Sequence, residues 1–173
     1  MDVSLRPAQE ADLPLYYRWQ DEEPHWDRYS CGPVQLVHPY PVFRARYVEA
    51  LSGGGEIAFS VLADARVVGR MVAYDENPRN RSMEIGYYLS EDARGQGIGR
   101  EALALFVGIL FTWPGKRLHK LYATTWAENL ASIALLEHAG FRLDGRLRDH
   151  YMIDGRYSDE LCYSLLRSEW QGA

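Results

Sequence analysis

Residues 85–103 read Ile85-Gly86-Tyr87-Tyr88-Leu89-Ser90-Glu91-Asp92-Ala93-Arg94-Gly95-Gln96-Gly97-Ile98-Gly99-Arg100-Glu101-Ala102-Leu103. A strand pattern leads into a loop with three glycines at alternate positions, and the loop opens a long apolar helix pattern. The first amides of a helix are unpaired and carry a partial positive charge, and glycine lets the backbone approach a ligand closely. The stretch therefore predicts a phosphate or pyrophosphate site at a helix N-terminus.

Two other phosphate-binding motifs fit this loop less well. A P-loop requires Gly-Lys followed by Ser or Thr, which the sequence lacks. Residues 97–102 do satisfy the Gly-x-Gly-x-x-Ala form of a dinucleotide fingerprint, but the acidic residue expected about 20 positions later is missing. The next strand pattern ends in Thr124-Thr125-Trp126 instead. A dinucleotide site, or a glycine-rich helix entry without any ligand, stays open as the less favoured alternative.

Composition narrows the class of protein. The chain has 173 residues, a formal net charge of -5 and 47% hydrophobic residues, which is typical of one soluble domain covering residues 1–173. The negative charge argues against a nucleic-acid partner. No signal-peptide or membrane-spanning pattern occurs, so we expect a cytoplasmic protein without a membrane partner. The histidines and cysteines show no metal-ligand spacing, so no metal is expected.

The order of helix and strand patterns predicts the fold class. Strand patterns at 56–63, 67–74 and 82–89 are joined by short polar turns, which indicates antiparallel neighbours. The whole order is strand 3–6, helices 8–20 and 42–51, those three strands, a helix from the glycine loop to about residue 111, strand 120–125, helix 129–138, and a hairpin of 141–148 and 158–166. This predicts an α/β fold with a mixed, mostly antiparallel central sheet and flanking helices.

A second motif follows the loop. Residues 129–141, Asn129-Leu130-Ala131-Ser132-Ile133-Ala134-Leu135-Leu136-Glu137-His138-Ala139-Gly140-Phe141, form an Asn-led helix pattern closing in Gly-Phe. Together with Arg-x-x-Gly-x-Gly at 94–99, this pattern strongly resembles the GNAT family of N-acetyltransferases. The tail, with Gly145-Arg146-Leu147-Arg148, Gly155, Asp159, Tyr163 and 165–170, is similar to the RimJ/RimL branch, which acetylates ribosomal proteins.

The resemblance implies acetyl-CoA as co-substrate, direct attack of a primary amine on the thioester, and strands that splay apart around the cofactor. A backbone N–H near Tyr88 or Leu89 would polarise the thioester carbonyl. Asn129 would bind the pantetheine arm, although an Asn at this place is also an ordinary helix N-cap. The residues expected to contact the cofactor are Tyr88, Leu89, Arg94, Gly95, Gln96, Gly97, Ile98, Gly99, Arg100, Asn129 and Ser132.

Two residues are expected to be catalytic by the same resemblance. Glu84 lies on the strand before the loop, where relatives often carry a glutamate that acts as general base through water; a cross-strand ion pair is the alternative. Ser132 resembles the serine that the ribosomal branch keeps near the sulfur; a small residue that allows close packing is the alternative. Relatives often carry a tyrosine that protonates the thiolate, at the position of Leu136, which has no proton to give.

The acceptor is the open part of the prediction. An α-amine titrates about 2.6 pH units below a lysine-type amine, so a protein N-terminus is the acceptor favoured when no strong base is evident. Polyamines, antibiotic amines and a catalytically weak CoA-binding regulatory module remain alternatives, and a homodimer is possible. Residues 19–29 combine acidic and aromatic side chains and are a candidate lining for a cationic acceptor. If that segment is only surface, the acceptor pocket is expected around Tyr87, His150 and Tyr151.

Overall fold

The computed structural model describes residues 1–23, 25, 28 and 38–172 of the chain. These residues form seven strands and four helices, with two further single turns of 3-10 helix. In chain order the elements are β1 Val3–Pro7, α1 Leu13–Glu22, α2 Tyr40–Ser52, β2 Ile57–Ala63, β3 Arg66–Asn77, β4 Ser82–Leu89, α3 Ile98–Thr112, β5 Lys120–Trp126, α4 Leu130–His138, β6 Arg142–Ile153 and β7 Arg156–Leu166. The predicted order of elements is confirmed.

The strands form one sheet in the order β1-β2-β3-β4-β5-β7-β6. Only the central β4–β5 pair is parallel, and the other neighbours are antiparallel. The parallel pairing stops at Glu84 opposite Tyr122, although β4 continues to Leu89 and β5 to Trp126. The two strands therefore diverge towards their carboxyl ends, which confirms the expected splay and opens a gap in the middle of the sheet.

Helices cover the two faces of the sheet differently. On one face, α3 buries Ala102, Leu103, Phe106, Val107 and Leu110, which recur at helical spacing and pack with strand residues in the main core. On the other face, α1 and α2 form a separate aromatic cluster around Tyr16 and Trp19. This second face is left partly open beside β5, where the side chains alternate between half-buried and buried.

The largest differences from the predicted boundaries are at the start of α1 and the end of β6. Helix α1 begins at Leu13, inside the predicted range 8–20, because Asp12 is engaged elsewhere: it accepts two bonds from Arg6, at 2.6 and 2.7 Å, and one from Ser60 at 2.6 Å. These bonds hold a 3-10 turn in place of the first helical turn. Strand β6 continues to Ile153 because two register shifts let it follow β7 further than a regular ladder would.

Candidate functional site

The glycine loop connects β4 to α3 and is fixed by its own polar side chains. Ser90 donates a hydrogen bond to the Val68 carbonyl at 3.0 Å and another to Asp92 at 2.6 Å. Gln96 closes the loop from the other side, since its amide nitrogen donates to the Asp92 carbonyl at 2.6 Å. The loop therefore has a defined shape without any ligand.

Backbone amides at the start of α3 are unpaired. The N–H groups of Gly95, Gly97, Ile98 and Gly99 donate to no acceptor among the described residues. Gly95 and Gly97 have φ values of +73° and +83°, a conformation that side chains rarely adopt, and a Cβ at either position would meet no atom within 4 Å. A row of unpaired amides at the positive end of a 15-residue helix fits a phosphate or pyrophosphate group.

Gly99 has a different role from its two neighbours. A Cβ built there would lie 3.2 Å from Leu89 Cδ1 and 3.6 Å from Leu135. The missing side chain thus lets α3 approach β4 and α4 closely. The Ile98 side chain is likewise in the core, at 2% exposure, so of this expected cofactor residue only the backbone amide is available to a ligand.

The Arg94 side chain, which was expected to contact the cofactor, is bonded to other residues of the chain. Its Nε donates to the Leu89 carbonyl at 2.9 Å and its Nη2 to Glu23 at 3.1 Å, and the guanidinium lies over the Tyr88 ring. The residue therefore ties the glycine loop to the segment after α1. Arg100, by contrast, is exposed on the first turn of α3.

Glu84 lies where β4 and β5 begin to diverge. It is flanked on one rung of the sheet by Tyr74 of β3 and Tyr122 of β5. Burial raises the pKa of the Glu84 carboxyl, while hydrogen bonding from Tyr74 and Thr124 opposes that rise. Thr124 donates from 3.4 Å. A half-buried carboxylate with a raised pKa is suited to accept a proton near neutral pH.

More carboxylates share this face of the sheet. The Tyr122 hydroxyl donates to Asp75 at 2.6 Å, and an open cleft of about 510 Å³ lies beside these two residues. Glu160 of β7 has only 5% of its side chain exposed, and the His150 Nε2 lies 3.7 Å from its carboxylate. Neither Asp75 nor Glu160 was singled out from the sequence, because their position beside Glu84 depends on strand order and register.

Ser132 faces the opposite side of β4. Its hydroxyl lies 2.6 Å from that of Tyr87, whose pKa burial raises to about 12. Asn129 caps α4, since its side-chain oxygen accepts the Ser132 N–H at 3.2 Å. Leu136 is fully buried in the core. The Tyr87–Ser132 pair was missed by the sequence analysis, although strand alternation does place Tyr87 on the face opposite Glu84.

The segment 19–29 does not form one acidic surface in the described residues. Trp19 is buried and stacks on Tyr16 with ring centroids 5.5 Å apart, so the expectation that it lines an acceptor site is wrong. Glu22 pairs with Arg18 at 3.8 Å and Glu23 pairs with Arg94. Pro24, Trp26, Asp27 and Tyr29 lie outside the described residues.

These features define a class of protein: an α/β fold whose sheet splits between β4 and β5. Unpaired amides within residues 95–99, here called the cradle, lie at the N-terminus of α3, and the half-buried carboxylate of Glu84 lies on the other face of the sheet. The chain matches the family model described as an acetyltransferase (GNAT) domain over residues 2–142. It belongs to the GNAT family of N-acetyltransferases, as the resemblance predicted. The described residues contain no group of three or more metal-ligating side chains, and no helix among them could cross a membrane.

A curated relative supports the same family, and solved structures share the same fold. YdaF of Bacillus subtilis is 30% identical over 132 residues, covering 76% of this chain and 69% of YdaF. RimJ of Mycobacterium smegmatis, solved with CoA-disulfide, has a TM-score of 0.83 at 26% identity and covers 99% of this chain and 85% of RimJ. The spermidine N-acetyltransferase of Vibrio cholerae, solved with CoA and spermine, has a TM-score of 0.86 at 23% identity and covers 96% of both chains.

Proposed function

We propose that this chain transfers the acetyl group of acetyl-CoA to a primary amine, with Glu84 as the general base. The observation that carries the proposal is the position of Glu84: a half-buried carboxylate with a raised pKa at the point where β4 and β5 separate, beyond which β4 leads into the cradle. The cradle fits the pyrophosphate of CoA, and relatives were solved with CoA or CoA-disulfide.

The proposed reaction requires one proton transfer on each face of the sheet. Glu84, directly or through water, takes a proton from the amine, whose nitrogen attacks the thioester carbonyl as the carbon–sulfur bond breaks. The departing thiolate takes a proton on the other side, where the hydroxyls of Ser132 on α4 and Tyr87 on β4 form a hydrogen-bonded pair. Amides near Tyr88 and Leu89 would orient the carbonyl.

A protein N-terminus is the first candidate acceptor. Its α-amine titrates at about 7.8, so about one seventh of it is neutral at pH 7, against less than about a thousandth of a lysine-type amine, and it depends less on a general base. The RimJ structure supports this candidate, since it is of the type that the tail of the sequence resembles.

A polyamine is the second candidate, and a specific observation favours it. Asp75, Glu84 and Glu160 all approach the same face of the sheet, so a molecule with several ammonium groups would meet several carboxylates there. Polyamine nitrogens titrate close to lysine and need a base, which Glu84 supplies. The Vibrio cholerae enzyme solved with spermine shares this fold.

A thiol-release assay decides among these acceptors. Purified protein with acetyl-CoA is tested against N-terminal peptides, spermidine and aminoglycosides, and the preferred acceptor is the one with the highest kcat/KM. Turnover with none of them, despite measurable CoA binding, would overturn the enzymatic proposal and favour a CoA-binding regulatory module.

The variant Glu160→Gln separates the two leading acceptors. If a polyamine is bound, loss of this carboxylate should raise its KM about tenfold, equivalent to about 1.4 kcal/mol, and leave the KM of a peptide unchanged. Glu49→Gln, an exposed change on α2, is the matched control. An unchanged spermidine KM in Glu160→Gln would remove the structural argument for polyamines.

A further inference from the structure

A second cleft lies at the end of the sheet opposite the cradle. Its volume is about 710 Å³, and it opens between the C-terminal end of α3 and the first residues of β5. Its wall is mainly basic and aromatic, formed in part by Arg81, Phe111, Trp113, Arg117, His119 and Arg167. Such a concentration of basic side chains is unexpected in a chain with a net charge of -5.

Three of these side chains extend from neighbouring backbone segments. The strand pairing places Ser82 opposite Lys120, and Lys120 opposite Leu166. One residue further out, the His119 N–H donates to the Arg81 carbonyl at 2.7 Å, and the Arg167 N–H donates to the His119 carbonyl at 2.8 Å. Arg81, His119 and Arg167 therefore form a row, with about 4.8 Å between neighbouring backbones.

Little negative charge offsets this row. Arg81, Arg117 and His119 have no ion-pair partner in the part of the chain that the structure describes. Glu76, the acid beside the cleft, is already paired with Lys116. Arg167 donates to the Phe111 carbonyl and so covers the C-terminal end of α3, which is the negative end of the helix dipole. The cleft is therefore electropositive.

We propose that this cleft binds an anion carrying two or more phosphate groups. Guanidinium groups hold phosphate oxygens with paired, charge-assisted hydrogen bonds. A single phosphate can contact two neighbours in the row, whereas a diphosphate or longer anion can contact Arg81, His119 and Arg167 together. The volume is within the range of sites for small molecules. Since α3 has 15 residues, the cleft lies about 22 Å from the cradle, and both sites can be filled at once.

Calorimetric titration of the CoA-saturated protein tests the proposal. Saturation with CoA blocks the cradle, so that added tripolyphosphate reports on the second site. We expect saturable binding of about one equivalent at an ionic strength of about 0.15 M. Arg81→Gln combined with Arg117→Gln should weaken this binding at least tenfold, while thiol release from acetyl-CoA stays at the wild-type rate.

The control is Arg148→Gln combined with Arg156→Gln, which changes the net charge equally on β6 and at the start of β7, the end of that strand remote from Arg167. Two further arms, ADP and a short oligouridylate, identify whether the phosphates come from a nucleotide or from RNA, according to which binds more tightly. Absence of saturable binding for all three probes, or equal weakening in the control, would overturn the proposal. A circular dichroism melt checks that each variant is folded.

Discussion

The cradle lies at the N-terminus of α3, the helix that packs on one face of the sheet, whereas the proposed acceptor face is the other face, and the two are built from different parts of the chain. The cradle uses backbone amides from one continuous stretch, residues 95–99. The acceptor face uses side chains from four strands: Tyr74, Glu84, Tyr122 and Glu160. A site made of backbone is encoded locally and is sensitive to glycine replacement, whereas a site made of side chains depends on register and on charge.

The largest expected effect is in the cradle. Gly97→Glu places a side chain and a negative charge where φ is +83° and the amides are unpaired, so the dissociation constant of CoA should rise at least 100-fold, about 2.7 kcal/mol. Calorimetry with CoA measures it.

Gly115→Glu is the matched control for this change, because Gly115 also has a φ of +83° with no atom within 4 Å of its missing Cβ. It imposes the same backbone strain away from the cradle. Equal loss of CoA affinity in both variants would show that backbone strain alone is responsible and would contradict CoA binding at the cradle.

The second prediction concerns the acceptor face. Glu84→Gln keeps the shape of the side chain but cannot accept a proton, so kcat should fall roughly 10- to 1,000-fold at neutral pH. The acetyl-CoA KM should not change. If Glu84 acts as the base in its ionised form, wild-type kcat should fall as the pH drops through its raised pKa.

The pH profile separates a base from a structural ion pair. As the pH rises, the amine loses its proton unaided, so the defect of Glu84→Gln should shrink. A defect of the same size at every pH would assign Glu84 a positioning role and place the base elsewhere.

A smaller effect is expected from the neighbour of Glu84 on β3. The Tyr74 hydroxyl lowers the pKa of Glu84 by hydrogen bonding, so Tyr74→Phe should raise that pKa further. The acidic limb of the kcat profile should then move to higher pH, with a loss of about two- to tenfold near neutrality and recovery in alkaline buffer. Tyr122→Phe is the control, since the Tyr122 hydroxyl donates to Asp75. Identical shifts in both variants would contradict this assignment.

The smallest effect should come from the exposed acidic residues at the end of α1. Asp21→Asn with Glu22→Gln removes two exposed charges, so the acceptor KM should rise by no more than about two- to threefold at low salt. At about 0.15 M salt the difference should nearly vanish. A tenfold rise that persisted in salt would extend the acceptor face to α1.

Most of the fold was predictable because its signals are local. The alternation in residues 82–89, the glycine loop and the apolar spacing of α3 each belong to one short stretch, and the structure confirms the corresponding elements. Helix α1 was predicted to begin too early because Asp12 bonds to Arg6 and Ser60, and Ser60 lies on a strand far along the chain. Helix propensity depends on neighbouring residues, so it gives no sign of a bond to a residue far along the chain.

The sequence by itself determined the family, the order of elements and the glycine loop that opens α3, since these signals lie in consecutive residues. Only the tertiary structure decided which carboxylates surround Glu84, that Tyr87 pairs with Ser132, and that Arg81, His119 and Arg167 share one row. These groups come from different strands, and a shift of one residue in register would turn each side chain to the other face of the sheet. Proximity between side chains is a property of the packed sheet, so no single stretch of the chain contains it.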